Sequence, residues 1–436
     1  MAAANLKKDD RDSPVKKMKY DLAYGMGHLS FDIDTVGNTQ EILPKTAVAQ
    51  PELEKAVLAV MEHPTEADSP LRSLSGSSTL AIVVDEPSPA CPTGVLLGSV
   101  LSSLRVLALK PANVTILVAY RPGSVHTLNE MNELLGDPMF HGYALVIHDS
   151  SKRETLSNIG ETSTSHTPLE ISTAFLQADY RIGISAIRPD PFAGATGGGM
   201  SVLPGVSGQR TILRTMRLRA VASSGPLDTE SPGSLDIAEA SCLAGLDFIV
   251  NVVPDWKGST ACVVGGDPSA AWFAGVEVSR VLSSATISRL ADVAVVSAGG
   301  FPFDRTLYDA VDCLYAAVQS TRRDGVIVLV AECVDGLGPD GFAKGVLENR
   351  SEKEVIQTAK KRFEIGMEKS RLFRHVTDSR SLIICSKLQE SLVEEELMCR
   401  AARDPEEALQ NARRHLGSWS NTIVLPRGGD TIIEGI

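Results

Sequence analysis

The run Thr79–Asp85 reads TLAIVVD, apolar without interruption from Leu80 to Val84 and then acidic. A strand with one solvated face alternates apolar and polar residues, whereas a strand covered on both faces reads as a continuous apolar run. TLAIVVD therefore predicts an interior strand of a parallel sheet flanked by helices. Its surroundings repeat the theme. A helix is expected around Val95–Leu107, a strand at Val114–Ala119 (VTILVA), a helix at Thr127–Leu135, and shorter strands at Ala144–His148 and Tyr180–Ile184. Such alternation marks an α/β layer architecture.

A second series follows. Asp247–Val253 (DFIVNVV) and Ala261–Val264 read as strands and Ser269–Val281 as a helix. Asp292–Ser297, Gly325–Ala331 and Ser381–Cys385 read as further strands, with helices at 304–319, 351–368 and 405–415. A chain of 436 residues is too long for one compact core. The expected fold is α/β: two α/β domains with mainly parallel sheets and the ligand cleft between them. Residues 1–17 are expected to be a disordered tail, 18–272 the N-terminal domain and 273–436 the C-terminal domain, its last strand free to return to the first. The Gly-, Pro- and Ser-rich stretch Ser223–Ser234 reads as a surface loop.

Composition narrows the function. The net charge is −12, so phosphate backbones are repelled and nucleic acid is excluded as a partner. Lys360-Lys361-Arg362 reads as a solvated helix face. The seven cysteines include no C-x-x-C pair and lie mostly in apolar segments, which predicts buried free thiols in a reducing compartment. No apolar run reaches the roughly 18 residues of a membrane span, and the charged N-terminus lacks the apolar core of a secretory signal. A cytoplasmic protein with no membrane partner is expected. Its oligomeric state, a homo-oligomer included, is left open.

Four segments carry candidate chemistry. The first, Pro189–Gly208 (PDPFAGATGGGMSVLPGVSG), follows a strand and is rich in glycine, which lets backbone approach a ligand and successive N–H groups cradle phosphate. It is neither a Walker A loop nor a dinucleotide fingerprint. The second, Ser297–Asp312 (SAGGFPFDRTLYDAVD), turns at Gly299-Gly300 into a helix with Asp304 as its expected N-cap, which places Tyr308, Asp309 and Asp312 on a cleft. The third and fourth, Asp85–Pro92 (DEPSPACP) and Ala119–Pro122 (AYRP), also follow strands.

These segments, in this order, resemble the nickel-pincer lactate racemase family. The resemblance is carried by YGMG at Tyr24–Gly27, NELLGDPMFHGYALVIHD at Asn132–Asp149, ADYRIGISAI at Ala178–Ile187, GGGMSVLPGVSGQRTI in the glycine loop, SAGGFPFDRTLYDA and GVIVLVAECVDGLG. It implies a set of functional groups that this chain replaces. The lysine that would carry the pincer is Met200, and the nickel-ligating histidine is Met216. The two acid–base histidines are Tyr120 and Asp190. A substrate-holding glutamine and lysine are Asp309 and Asp312. An arginine is Pro89, beside Glu86 in place of an aspartate. A nickel-pincer nucleotide is therefore not expected, and no metal ligands are assigned.

The preferred expectation is an isomerase, a racemase or epimerase, acting at a secondary alcohol carbon of a small hydroxylated substrate. A nicotinamide dinucleotide, NAD or NADP, would shuttle hydride in place of the pincer. In that reading Tyr120, Asp190, Asp309 and Asp312 are catalytic. Glu86, Arg121, Gly197, Gly198, Gly199, Met200, Pro204, Gly205 and Tyr308 hold the cofactor. The alternatives are a cofactor-independent acid–base lyase, dehydratase or cyclase using tyrosine and aspartate, and a non-catalytic member of the family.

Overall fold

The computed structural model describes residues 17–34, 38–50, 52–85, 88, 90–119, 142–222, 225–417 and 420–435. Two six-stranded sheets organise the chain. The first runs in the order Thr260–Gly266, Phe248–Pro254, Tyr180–Ala186, Leu80–Val84, Val114–Val118, Ala144–Ile147. All its neighbours pair parallel except Phe248–Pro254 with Thr260–Gly266. The TLAIVVD strand is central and wholly buried. Its side chains alternate between faces, as strand geometry demands. Leu80, Ile82 and Val84 pack with Val57, Met61, Leu96 and Leu97 of the helices Leu53–Glu62 and Thr93–Leu104. Ala81 and Val83 pack on the other side with Ile212, Met216, Ile237 and Ala240 of Gln209–Val221 and Pro232–Leu243.

The second sheet is parallel throughout, in the order Arg400–Ala402, Ser381–Cys385, Thr321–Val330, Ala291–Ser297, Thr422–Leu425, Thr39–Glu41. The division of the chain between the sheets differs from the expected one at both ends of the first domain. The antiparallel hairpin of Lys17–Tyr24 and Gly27–Asp34 covers the second sheet, because Tyr20, Leu22, Phe31 and Ile33 cluster with Val293, Val295 and Val328. The helix Pro268–Ser283 packs on the first sheet, so the changeover falls after Ser283 and not near 272. The last short strand, Ile432–Ile433, pairs with Ser284–Ala285, and Ile432 joins Ile187, Val253 and Val276 of the first unit.

Two helical expectations also change. The expected helix 351–368 is two helices, Glu352–Lys361 and Met367–Ser379. The break is made by Gly366 at φ +106° and by Phe363 and Ile365, which pack against the first unit. The helix after Gly299-Gly300 begins at Leu307 with Thr306 as its cap, not Asp304. Asp304 is buried and accepts hydrogen bonds from Gly25 N (2.7 Å) and Glu332 N (3.0 Å), tying the hairpin turn to the sheet. The expected helix 127–135 lies outside the described residues. Among the described residues no helix is long and apolar enough to cross a membrane. All seven cysteines are free and most are buried.

Both sheets have a point where strand order reverses direction. In the first it lies between Leu80–Val84 and Tyr180–Ala186, in the second between Ala291–Ser297 and Thr422–Leu425. Ligands of open α/β sheets bind outside the carboxyl ends of strands at such points. The chain leaving Tyr180–Ala186 reaches Asp190 at once, and the chain leaving Ala291–Ser297 turns into the helix that carries Asp312.

Candidate functional site

Asp190 is fixed by its own turn and by one arginine. Its Oδ1 accepts from Phe192 N (2.8 Å), Ala193 N (2.6 Å) and Arg219 Nη2 (2.9 Å). Among the described residues Oδ2 has no partner. Arg219 lies in the last turn of Gln209–Val221, over the Phe192 ring at 6.0 Å from its centroid. Its side chain is 11% exposed, and its Nε is buried without a partner. Burial opposes ionisation of Asp190, but Arg219, the two amides and Lys369 together outweigh it, so the carboxyl lies below its ordinary value. Asp190 is an anion at neutral pH.

Asp312 comes from the other unit. Its Oδ2 accepts from Lys369 Nζ at 2.7 Å, while Oδ1 is buried and unpartnered. The side chain is deep between the units yet 34% exposed, as a group on a cleft floor is. Burial raises its carboxyl above the ordinary value. Asp190 and Asp309 push it the same way, and Lys369 opposes them without prevailing. Lys369 also sits 4.3 Å above the Tyr308 ring. Glu368, beside it on Met367–Ser379, accepts from Tyr308 OH (3.1 Å) and Gly366 N (2.9 Å), and burial raises its carboxyl too. One cluster thus gathers Asp190 and Arg219 from the first unit with Tyr308, Asp312, Glu368 and Lys369 from the second.

Other expected residues are placed differently. Asp309 is a capping residue: its carboxylate accepts from Thr306 N and Oγ1 while Thr306 caps Asp309 N. Its charge serves the helix start. Tyr308 is 9% exposed, packed edge-on against Phe342 and bonded to Glu368, which fixes its ring as part of the wall. Burial raises its phenol well above the usual value. Tyr120, Arg121, Glu86 and Pro89 lie outside the described residues.

The glycine loop folds onto protein. A Cβ on Gly198 (φ +56°) would meet Trp272 Cδ1 at 2.7 Å, and one on Gly197 would meet Ile187 Cγ1 at 2.8 Å. Gly199 and Gly205 face Ser241 and the Ser201 carbonyl just as closely. The amide of Gly198 donates to Asn251 Oδ1, and those of Met200, Val202, Leu203 and Gly205 donate to carbonyls inside the loop. Pro204, preceded by a cis peptide bond, lines a cavity of about 10 Å³ with Leu203, Met216 and Arg219. That is room for one water at most. The loop is closely packed by its own chain. An open groove of about 520 Å³ between Glu41, Lys45, Ser284 and Glu434 gathers none of the cluster's groups.

Comparison with known proteins gives the lineage. Residues 24–224 match the family model of the lactate racemase N-terminal domain, and residues 287–433 that of the lactate racemase C-terminal domain. The chain belongs to the lactate racemase family. It is 28% identical over 428 residues to the lactate racemase of Thermoanaerobacterium thermosaccharolyticum, covering 95% of this chain and 99% of that one. It is 25% identical over 427 residues to that of Lactiplantibacillus plantarum, with the same shares covered. The structure of the Thermoanaerobacterium lactate racemase apoprotein superposes with a TM-score of 0.84 at 26% identity, covering 96% of this chain and 100% of that chain. A Thermotoga maritima protein shares the fold at TM-score 0.66 and 14% identity.

Within this family the nickel pincer is the implied cofactor, and the residues present do not fit it. Met200 is half-buried against the cluster under the loop, and Met216, 5% exposed, belongs to that cluster with Val202, Leu203 and Ile212. A thioether has no amine for the covalent link, and it is a soft, weak ligand for a divalent cation. Among the described residues no group of three or more histidine, cysteine, aspartate or glutamate side chains could hold a metal ion.

Three members of the cluster escape the sequence reading. Arg219 stands one helical turn beyond Met216, on the same helix. Glu368 and Lys369 lie on a helix that the reading merged with its predecessor. The signal was present in Ile365-Gly366-Met367, a glycine between apolar residues where a helix stops and restarts.

Proposed function

We propose that this chain is an isomerase that acts at the hydroxyl-bearing centre of a small hydroxylated substrate by acid–base chemistry, with no nickel pincer. The observation that carries the reading is the Asp190–Asp312 pair. Two carboxyls from opposite units share one cluster, one held below its ordinary value and one above. Environments that push two carboxyls apart are how one site keeps a base and an acid at the same pH. Asp190 takes a proton and Asp312 supplies one. Arg219 keeps Asp190 ionised, and Lys369 keeps Asp312 from being locked in its protonated form. Tyr308 and Glu368 hold the helix starts that aim them.

The close packing of the glycine loop favours this reading over hydride transfer through NAD or NADP, because the amides of Gly198, Met200, Val202, Leu203 and Gly205 donate to protein oxygens. Native mass spectrometry and metal analysis of the purified protein test it, together with carboxyl ¹³C titration. The expected result is the bare polypeptide mass, no stoichiometric nickel, and an Asp190 titration below that of Asp312. A covalent nucleotide adduct with nickel, or a retained dinucleotide, overturns the reading.

A further inference from the structure

The helix Gln209–Val221, which carries Arg219, ends against the second unit. The last carbonyls of a helix have no donor within it. Here Arg371 of Met367–Ser379 supplies one: its Nη1 donates to Ala220 O (3.4 Å) and to Ala222 O. A cation at that end also complements the helix dipole. The guanidinium is held in this direction from behind. Its Nε donates to Glu352 Oε1 (2.8 Å), and the other oxygen of Glu352 pairs with His375 Nδ1 (2.8 Å). Arg371 follows Lys369 by two residues, about 3 Å along the helix axis. One helical turn thus holds Tyr308 through Glu368, Asp312 through Lys369 and the end of the Arg219 helix through Arg371.

Arg219 needs such a grip. It lies in the last turn, one residue before Ala220, and reaches Asp190 through Nη2 alone, its Nε having no partner. Helix ends open locally at far lower cost than the rest of the fold. Fraying of this turn would carry Arg219 off Asp190. We propose that Arg371 is a positioning residue: from the second unit it caps the helix whose last turn carries Arg219, and so holds Arg219 on Asp190. This rests on the acid–base reading above and adds to it the residue through which the docking of one unit sets the base of the other. The groups that face Asp190 are Arg219 and the amides of Phe192 and Ala193 from its own unit, and Lys369 and Asp312 from the second. Burial opposes its ionisation, and Arg219 is the first group named against burial. With the cap lost, Arg219 withdraws and burial gains.

The test is ¹³C carboxyl titration of the full chain labelled at aspartate, with the Asp190 resonance assigned by its loss in Asp190→Asn. In Arg371→Met the Asp190 titration should move up, toward that of Asp312. Hydrogen exchange in the last turn, where Ala222 N–H donates to Leu218 O, should speed by about tenfold or more, the factor for losing a hydrogen bond to a charged group. Arg371→Lys keeps the charge but not the fork that spans Glu352 and the helix end, so it should restore only part of both. Arg217→Met removes a different contact across the boundary, to Lys360 O, and should leave the Asp190 titration in place. Melting curves confirm that each variant is folded, and the partial shift in Arg371→Lys carries the test if Arg371→Met does not fold. An Asp190 titration unmoved by the loss of Arg371, or moved as far by Arg217→Met, overturns the inference. The acid–base reading is judged separately, within the wild-type chain, by whether Asp190 titrates below Asp312.

Discussion

Replacing Lys369 by methionine keeps the aliphatic stem and removes the cation beside Asp312. At 2.7 Å and an effective dielectric near 20, the Coulomb attraction is about 6 kcal/mol as an upper bound. A third of the Asp312 side chain is open to water, which roughly halves that figure, and the recovered cost of desolvating the ammonium takes off about 1 kcal/mol more. A net loss of about 2 kcal/mol at pH 8 is expected. The sign with pH follows from the carboxyl. Asp312 is raised in the folded state, so the folded protein binds the proton more tightly and stability falls as pH rises from the unfolded value through the folded one. Without Lys369 that carboxyl rises further, so the loss is full above its folded value and shrinks at acid pH, where Asp312 is neutral in both proteins and only the contacts of Lys369 with Asp190 and the Tyr308 ring remain. Urea denaturation between pH 4 and 8 reads this directly. Lys369→Met/Asp312→Asn should recover most of the loss, because the stranded charge is gone. A loss that is flat with pH, or strict additivity in the double variant, would refute the pairing as the source of the effect.

Two other outcomes follow from the same packing. Met216→His places a polar ring in the apolar cluster under the glycine loop and should cost about 2–3 kcal/mol in thermal or urea melts while binding no nickel by metal analysis. Asp309→Ala removes the reciprocal cap at Thr306 and should cost about 1 kcal/mol of stability, and because Asp309 also helps to hold the Asp312 carboxyl up, the limb of any pH profile that reports Asp312 should move to lower pH.

The fold was legible because its strands are buried on both faces, and an unbroken apolar run such as Leu80–Val84 has few other readings. The seating of the hairpin was not. Alternation in Tyr20, Leu22, Phe31 and Ile33 shows that one face is buried, but nothing local says against which sheet. The glycine loop misled for a related reason. A glycine needed because a ligand approaches and one needed because Trp272 approaches look identical in sequence, and only the neighbour distinguishes them. Asp309 and Asp312 share a helix face, and their fates diverge because Thr306 lies three residues before one of them, a capping-box spacing that competes in sequence with Asp304 as a second possible cap.

The deepest difference concerns charge. Read along the chain, Asp190, Asp309 and Asp312 in place of neutral or cationic groups suggest an acidic pocket. In three dimensions one of them caps a helix, and the other two are each met by a cation from elsewhere, Arg219 and Lys369. The site is therefore close to neutral while keeping one aspartate ionised and one reluctant to ionise. An uncompensated acidic pocket would hold both carboxyls up and offer no ready base at neutral pH. Pairing with unequal strength separates them, and that separation is what an acid–base site between two rigid sheets requires.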